Sequence, residues 1–385
     1  MPRGAGPHSR DGMTRIGFAY NQKPDATTAS HAAELARADE EPPSSGALAT
    51  LAAPADAPAD DEYAEWDSAE TIDAVERALA RHGEVIRLEA TDDFPLELRA
   101  ARPDIVFNIA EGLRGPNREA HVPAICEFYG IPYSGSDPFT LALCLDKART
   151  KEILRAHGVP TANWTLIRSI SELEAFDRHD WRTPLFAKPV HEGSSKGITE
   201  RNFVRGPAQL EPVVRELLDA YQQPVLVEDF LPGAEFTCGV LGNGATTRVL
   251  PIVAINFEAL PEGALPIYGF EAKWLWDRPE KPLEIFECPA TLAPALRAEI
   301  EDVVLRTFRA LGCRDWARID VRLDAAGRAN IVEVNPLPGI LPDPADNSCL
   351  PKSARAAGLE YDALIGAALH AAAARQGVAL TGGAR

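Results

Sequence analysis

The stretch Asp315–Gly339, DWARIDVRLDAAGRANIVEVNPLPG, constrains the fold of this chain more than any other. Residues Trp316–Leu323 alternate apolar and polar, a polar turn containing Gly327 follows, and Asn330–Asn335 alternates again, which is the pattern of a β-hairpin. Arg318, Asp320 and Arg322 face one way on the first strand, and Ala317, Ile319 and Val321 the other. On the second, Glu333 and Asn335 face away from Val332 and Val334. A connecting loop with an even number of residues puts Asp320 opposite Glu333 and Arg318 opposite Asn335. One face then carries two carboxylates, an amide oxygen and a guanidinium over an apolar back. Hard oxygen ligands of this kind suit Mg²⁺ bridging nucleotide phosphates, and the arginine meets negative charge as it develops. An exposed hairpin face with ordinary mixed charge is the alternative. The E-V-N-P-L-P-G run from Glu333 to Gly339, two carboxylates in register and then a Pro/Gly loop, favours the metal.

The remaining composition narrows the class. A chain of 385 residues has room for two or three domains and ample core. A formal net charge of −18 argues against a nucleic-acid partner, which needs basic patches, but not against a nucleotide in a locally positive cleft. Six cysteines without a C-x-x-C pair indicate neither zinc nor a disulfide framework. No apolar run is long enough to cross a membrane and the first residues do not read as a signal peptide, so a soluble cytoplasmic protein is expected.

In chain order, Arg15–Tyr20 reads as a strand and 22–61 as a long, mobile Ala/Pro/acidic insertion. A helix starts at an Asp67–Glu70 capping box with Ile72, Val75 and Leu79 as its apolar stripe; strands follow at Glu84–Leu88 and Asp104–Ile109. This strand–helix–strand–strand order suggests an open α/β domain, but without the G-x-G-x-x-G of a dinucleotide site, which disfavours a dehydrogenase. The polar loop Asn108–Glu119 leaves a buried strand where α/β sheets place ligands. A helix at Val122–Tyr129 is followed by one running from Asp137-Pro138 to Gly158 that carries Lys147 and Lys151. Strands at Pro184–Lys188 and Val225–Asp229 flank the small, flexible loop Pro189–Gly197 and a helix at Leu210–Tyr221. Glu235–Leu241 and Thr247–Asn256 form a hairpin across Gly242–Gly244. The aromatic run Ile267–Asp277 precedes a helix at Leu292–Leu311; after the opening hairpin come an irregular loop, Pro342–Ser353, and one last helix to about Ala374.

Taken together, IPYSGSDPFTLALCLDKARTK, PLFAKPVHEGSSKGI, VLVEDFLPGAEFT, YGFEAKW and the GCRDWARIDV…NPLPG hairpin resemble the ATP-grasp superfamily, specifically the D-alanine–D-alanine ligase family. They cover most of Ile131–Gly339 in the family's order. The resemblance implies a mixed α/β and α+β protein of three parts: an N-terminal Rossmann-like open α/β domain (1–141), a central ATP-grasp lobe (142–231) and a C-terminal lobe (232–385), the two lobes clamping ATP. It implies that Lys147 and Lys188 bind ATP phosphates and that Ser194, Ser195 and Gly197 close over the triphosphate. Glu228 would face adenine, Glu235 the ribose, and Lys273 the γ-phosphate. Asp320, Glu333 and Asn335 would hold two Mg²⁺ ions, which Mn²⁺ could replace, and Arg318 with the backbone N–H of Gly339 would stabilise a tetrahedral oxyanion. Small amino-acid-like substrates are implied as partners, with no nucleic acid and no membrane, and a homodimer is usual in the family.

Departures from the family lie on the substrate side. The Gly-rich, Glu-containing loop after the first strand is replaced by Asn21–Pro24 and the insertion, the His-Gly turn by Ala110–Leu113, and the EAKY tyrosine by Trp274. A longer loop separates Gly339 from Ser348, which matches the family's carboxylate-binding serine. Glu111, Arg118 and Glu119 become candidates for an altered first-substrate site, Arg118 as a bidentate partner for a substrate carboxylate. The reading is an ATP-dependent carboxylate–amine ligase working through an acyl phosphate. Its alternatives are a ligase for other amino acids or a specialised metabolite, and a nucleotide-binding regulator without turnover.

Overall fold

The computed structural model describes residues 12–24, 63, 65–175, 184–193, 195–269, 272, 276 and 283–381. Apart from residues 22–24, the expected insertion 22–61 lies outside them, as do the candidate residues Ser194, Lys273 and Trp274. The chain before that stretch nevertheless meets the chain after it: Gln22 bridges Asp67, and the Lys23 N–H donates to the Asp67 carbonyl at 2.8 Å.

Three sheets organise the described residues. In the first, β1 (Arg15–Tyr20) lies between β2 (Glu84–Glu89) and β3 (Ile105–Asn108), and both pairings are parallel. A strand buried on both faces has to be apolar throughout, which is why Ile16, Phe18 and Ala19 are all fully buried. Helix α1 (Ala69–Leu79) begins where the Ser68 hydroxyl accepts the Thr71 N–H at 3.3 Å. Parallel neighbours require a crossover, and the expected order, with one strand directly after another, left none between β2 and β3. Helix α2 (Phe94–Ala101), with Pro95 in its first turn, supplies part of that connection.

Beyond α3 (His121–Tyr129), the single helix expected from Asp137 to Gly158 is two, α4 (Pro138–Leu145) and α5 (Lys147–Ala156). Asp146 breaks it. Its backbone is extended and its carboxylate caps α5 by accepting the Arg149 N–H at 2.9 Å.

The second sheet has the order β4-β7-β5-β6, formed by β4 (Trp164–Ile167), β5 (Leu185–Pro189), β6 (Phe203–Val204) and β7 (Val225–Asp229). The short helix α6 (Ile170–Ala175) follows β4, and α7 (Pro207–Tyr221) buries Leu210, Val214 and Leu217 against this sheet. The third sheet contains β8 (Glu235–Leu241), β9 (Arg248–Val249), β10 (Val253–Ile255), β11 (Phe286–Glu287), β12 (Trp316–Leu323) and β13 (Ala329–Asn335). Its order is β11-β10-β8-β12-β13, with β9 also on β8 and α8 (Pro294–Ala310) packed behind it. The return strand expected over Thr247–Asn256 is split into β9 and β10 around Pro251, which has no N–H for a ladder.

The irregular loop after the hairpin is shorter than expected, because α9 (Cys349–Ala356) begins inside it. The last helix, α10 (Tyr361–Gln376), is separate. It returns to the start of the chain: Leu364, Ile365, Ala368 and Leu369 share one core with Ile16, Phe18, Ile72 and Val75. Trp316, at the entrance to β12, is fully buried in that core against Phe107. The third sheet is thereby anchored to the first.

Candidate active site

The hairpin delivers the expected pairing by an unexpected route. Asp320 does pair with Glu333 and Arg318 with Asn335. However, Leu323 pairs with Ala329, so the loop between them, 324–328, has an odd number of residues. Continued unchanged, that register would set Asp320 opposite Val332. A β-bulge restores it, with Val321 pairing to Ile331, Asp320 to Glu333, and Val332 left as the extra residue. Val332 consequently lines the cleft beside Glu333 instead of turning to the back with Val334.

That cleft is a cavity of about 150 Å³ between the second and third sheets. Glu228 on β7 and Lys188 on β5 come from one wall; Glu235, Thr237, Asp320 and Glu333 come from the other. Glu228 sits between Lys151 and Lys188, with 2.7 Å to each ammonium. Burial would raise its carboxyl, but the two lysines overcome this and hold it at about 2. Lys151, which the sequence placed on a helix without a role, is therefore part of the site.

Glu235 is held by Arg322, whose Nη1 donates to it at 2.7 Å and whose Nη2 donates to the Pro266 carbonyl at 2.8 Å. The Arg322 guanidinium lies 4.7 Å from the Phe230 ring and 5.2 Å from that of Phe257. Nothing in the hairpin pattern distinguished Arg322 from a surface arginine. The signal was an alternating strand with a charged residue at every outward position, which a solvated face does not require.

The loop over the cleft uses positive φ at Ser195 (63°) and Gly197 (65°). A Cβ on Gly197 would come within 2.6 Å of Pro189, so only glycine fits that turn. Ser195 Oγ donates to the Tyr268 carbonyl at 3.2 Å, tying the loop to the third sheet's side of the cleft.

A second cavity, of about 100 Å³, opens beside the first, towards the end of β13 and the loop after it. Glu65, Glu111, Glu119, Lys147, Asn335 and Gly339 line it, and Arg318 and Glu333 line both cavities. Lys147 Nζ lies 2.9 Å from Glu333 and also donates to the Glu192 carbonyl. Burial opposes ionisation of Glu333, but Lys147, Lys188 and Arg318 outweigh it and hold the carboxyl at about 2. Asp320 accepts from Thr237 (2.5 Å), Arg318 (3.1 Å) and Asn335 (3.3 Å). Asp320, Glu333 and Asn335 thus meet on one face. Among the described residues no group of three His, Cys, Asp or Glu side chains could hold a metal. Two carboxylates and an amide oxygen suit an ion that takes its other ligands from phosphate and water.

Two substrate-side expectations change. Arg118 does not offer its fork to a ligand, because Glu65 occupies it at 2.8 and 3.1 Å and the His191 carbonyl takes its other nitrogen at 3.2 Å. Glu65, just past the insertion, was missed, since no local pattern marks a residue whose partner lies 53 positions away. Ser348 is buried; its hydroxyl accepts the Leu341 N–H at 3.1 Å and lies 3.4 Å from the Gly339 carbonyl, so it braces the Gly339 loop. Glu111 and Glu119 do reach the cavity. Burial first, and neighbouring carboxylates second, push Glu119 up to about 8 and Glu111 well above the ordinary carboxyl range.

A carboxyl with a raised folded-state value holds a proton that the unfolded chain has already lost, so stability falls as pH rises from about 4.5 towards 8. Glu119→Gln removes that loss. A thermal-melt series should show the variant gaining on the parent by about 2–4 °C at pH 8 and not at pH 4.5. Equal pH profiles would show that Glu119 ionises freely in the fold.

Residues 153–370 match the family model described as the D-ala D-ala ligase C-terminus. The D-alanine–D-alanine ligase of Bordetella petrii is 35% identical over 289 residues, covering 74% of this chain and 82% of that one. The chain belongs to the D-alanine–D-alanine ligase family. The uncharacterized protein y4sG of Sinorhizobium fredii is 36% identical over 317 residues, covering 80% of this chain and 88% of that protein. The crystal structure of the Bacillus anthracis D-alanine–D-alanine ligase complexed with ATP superposes with a TM-score of 0.62 at 21% identity, over 94% of this chain and 99% of that one. The fold is accordingly ATP-grasp, and membership in the D-alanine–D-alanine ligase family makes the chain an ADP-forming, amide-forming ligase. Among the described residues of this family member, no helix is long and apolar enough to cross a membrane.

Proposed function

We propose that the chain binds ATP in the larger cavity, activates the carboxylate of an amino acid in the smaller one, and transfers the acyl group to an amine. The observation that carries this reading is the shared wall: Arg318 and Glu333 line both cavities, so a phosphate from one side and a carboxylate from the other meet at the same side chains. The carboxylate oxygen attacks the γ-phosphorus and ADP leaves with the bridging electron pair. The amine then attacks the acyl carbon, phosphate departs, and the amine's proton is released. Both steps concentrate negative charge, so fixed cations and oriented N–H groups supply most of the barrier reduction.

The family resemblance and the lining of the two cavities support the following roles. Lys147 and Lys188 meet the phosphates, and the loop bearing Ser195 and Gly197 excludes water that would hydrolyse the acyl phosphate. Glu228, kept ionised by its two lysines, accepts from the adenine amino group; Glu235, steadied by Arg322, accepts from the ribose hydroxyls. Asp320, Glu333 and Asn335 would hold Mg²⁺, which would neutralise phosphate charge and polarise the γ-phosphoryl group. Arg318 and the Gly339 N–H face the carbonyl oxygen as it becomes an oxyanion. In this reading the chain divides near residues 141 and 231, with α10 packing back onto the first part.

The test is ADP formation from ATP across a panel of D- and L-amino acids, singly and in pairs, with product mass. A dipeptide or amide formed with stoichiometric ADP is expected. ATP binding with no turnover on any pair would overturn the reading in favour of a nucleotide-binding regulator.

A further inference from the structure

The loop between β5 and β6 lines both cavities, Glu192 and Ser195 on the nucleotide side and Gly193 on the smaller one. Residues from outside it fasten it there. Arg118, between β3 and α3, donates through Nη2 to both Glu65 oxygens, at 3.1 and 2.8 Å, and through Nη1 to the His191 carbonyl of the loop at 3.2 Å. Lys196, further along the same loop, reaches Glu65 at 3.5 Å. The Arg118 and Glu65 side chains are only 12% and 8% exposed, so water screens their attraction poorly. Burial would raise the Glu65 carboxyl, but Arg118 and Lys196 hold it below the ordinary range. A Cβ on Gly193 would lie 2.3 Å from Glu65 Oε1, so glycine is what lets the loop come down onto a carboxylate that Arg118 keeps in place. The loop's other edge is tied by the Ser195 hydroxyl to the Tyr268 carbonyl.

We propose that Arg118 and Glu65 form a latch that holds this loop shut across both cavities, which makes them positioning residues that keep water from the acyl phosphate. The proposal rests on the ligase reading above. With the loop shut, the amine is left to attack the acyl carbon. With the loop open, water attacks that carbon instead. The bond from carbon to the phosphate oxygen then breaks, phosphate leaves with the electron pair and the attacking water loses a proton. The amino acid is returned unchanged and one ATP has been spent. Arg118 and Glu65 act through the loop, so losing the latch uncouples ADP formation from amide formation more than it slows the first step.

The experiment compares the parent with Arg118→Met, Arg118→Lys and Glu65→Gln by two readouts. One is amide formed per ADP, on the amino-acid pair that turns over fastest in the panel above. The other is amide hydrogen exchange in peptides spanning 189–197, with ATP and Mg²⁺ present and no amino acid. The parent is expected to form close to one amide per ADP, and Arg118→Met and Glu65→Gln about half of that or less. Their loop should exchange about 10- to 100-fold faster than the parent's. Arg118→Lys should fall between, because an ammonium restores the charge and not the fork. Combining Arg118→Met with Glu65→Gln should uncouple no further than Arg118→Met alone, since the two residues act as one unit. If Arg118→Met does not fold, Glu65→Gln, which keeps its volume against Gly193, carries both readouts. A pair that only braces the fold would lower the melting temperature and leave the amide-to-ADP ratio and the loop's exchange at the parent's values. That result would overturn the latch and leave the ligase reading standing. ATP binding without ADP formation on any pair would overturn the ligase reading and the shielding role with it, and the exchange comparison would still decide whether the pair holds the loop.

Discussion

Replacing Arg318 with methionine is expected to lower kcat by about 10²- to 10³-fold, the usual loss when one preorganised oxyanion donor is removed. Methionine keeps most of the side chain's length, so the change subtracts charge and donors with little loss of packing. Arg318 lies on the wall between the two cavities and donates to Asp320 at 3.1 Å. Its Nε is buried without a partner, a donor that the protein alone does not satisfy. A group so placed contributes little to binding ATP, whose other contacts lie on Lys188, Glu228 and Glu235. The loss should therefore appear in kcat, with KM for ATP within about threefold. Arg318→Lys should recover only part of the rate, since an ammonium replaces the charge but not the two-nitrogen fork. Steady-state phosphate release on the parent and both variants decides the matter. A methionine variant within threefold of the parent's kcat would remove Arg318 from the chemistry and leave the Gly339 N–H as the remaining candidate.

How much of this site was legible beforehand depends on whether the chemistry is local in sequence. Asp320, Glu333, Asn335 and Arg318 sit on one hairpin, and strict alternation together with the E-V-N-P-L-P-G run put them on one face correctly. The bulge at Val332 was invisible, because an extra residue in a strand leaves the composition of the pattern unchanged. The right pairing came from an assumed even loop, whereas the protein uses an odd loop and a bulge. Lys188, Glu228 and Glu235 were assigned through family motifs, and the cleft does collect them. Lys151, Arg322 and Glu65 were missed for a common reason. Each acts through a partner distant in sequence, and charged residues on helices and strands are usually solvated. Arg118 was read as a substrate ligand because its ion-pair partner Glu65 lies 53 positions away, and no sequence pattern announces a contact of that span. Among the fold elements, the missing crossover helix α2 and the break at Asp146 were readable in principle. Parallel strands demand a crossover, and an aspartate ahead of a helical run is a capping signal.

The second large effect concerns stability. Arg375→Met should cost about 3–5 kcal/mol of unfolding free energy, the penalty for leaving a buried carboxylate without its counter-charge. Asp315 is that carboxylate. It is fully buried, at a φ of 66° that few residues besides Asn, Asp and Gly tolerate. Its two oxygens accept from Arg375 at 3.1 and 2.7 Å, from the Gly135 N–H at 2.8 Å and from Asn243 at 2.7 Å. Arg375 in turn donates to the carbonyls of Tyr133 and Gly135, both at 3.1 Å. One ion pair thus fastens four segments: the turn between α3 and α4, the β8–β9 turn, the start of the hairpin, and α10. Urea unfolding should show the midpoint falling without a change in slope. Adding Asp315→Asn should restore part of the loss, because an amide costs less to bury than an unpaired charge while still accepting from Gly135. None of Asp315, Arg375 and Asn243 lines either cavity, so the variant should keep its kcat at temperatures where it remains folded. A cost below about 1 kcal/mol, the usual worth of a solvated ion pair, would mean that water reaches Asp315 and that the apolar core shared by α1, α10 and Trp316 holds the sheets together without it.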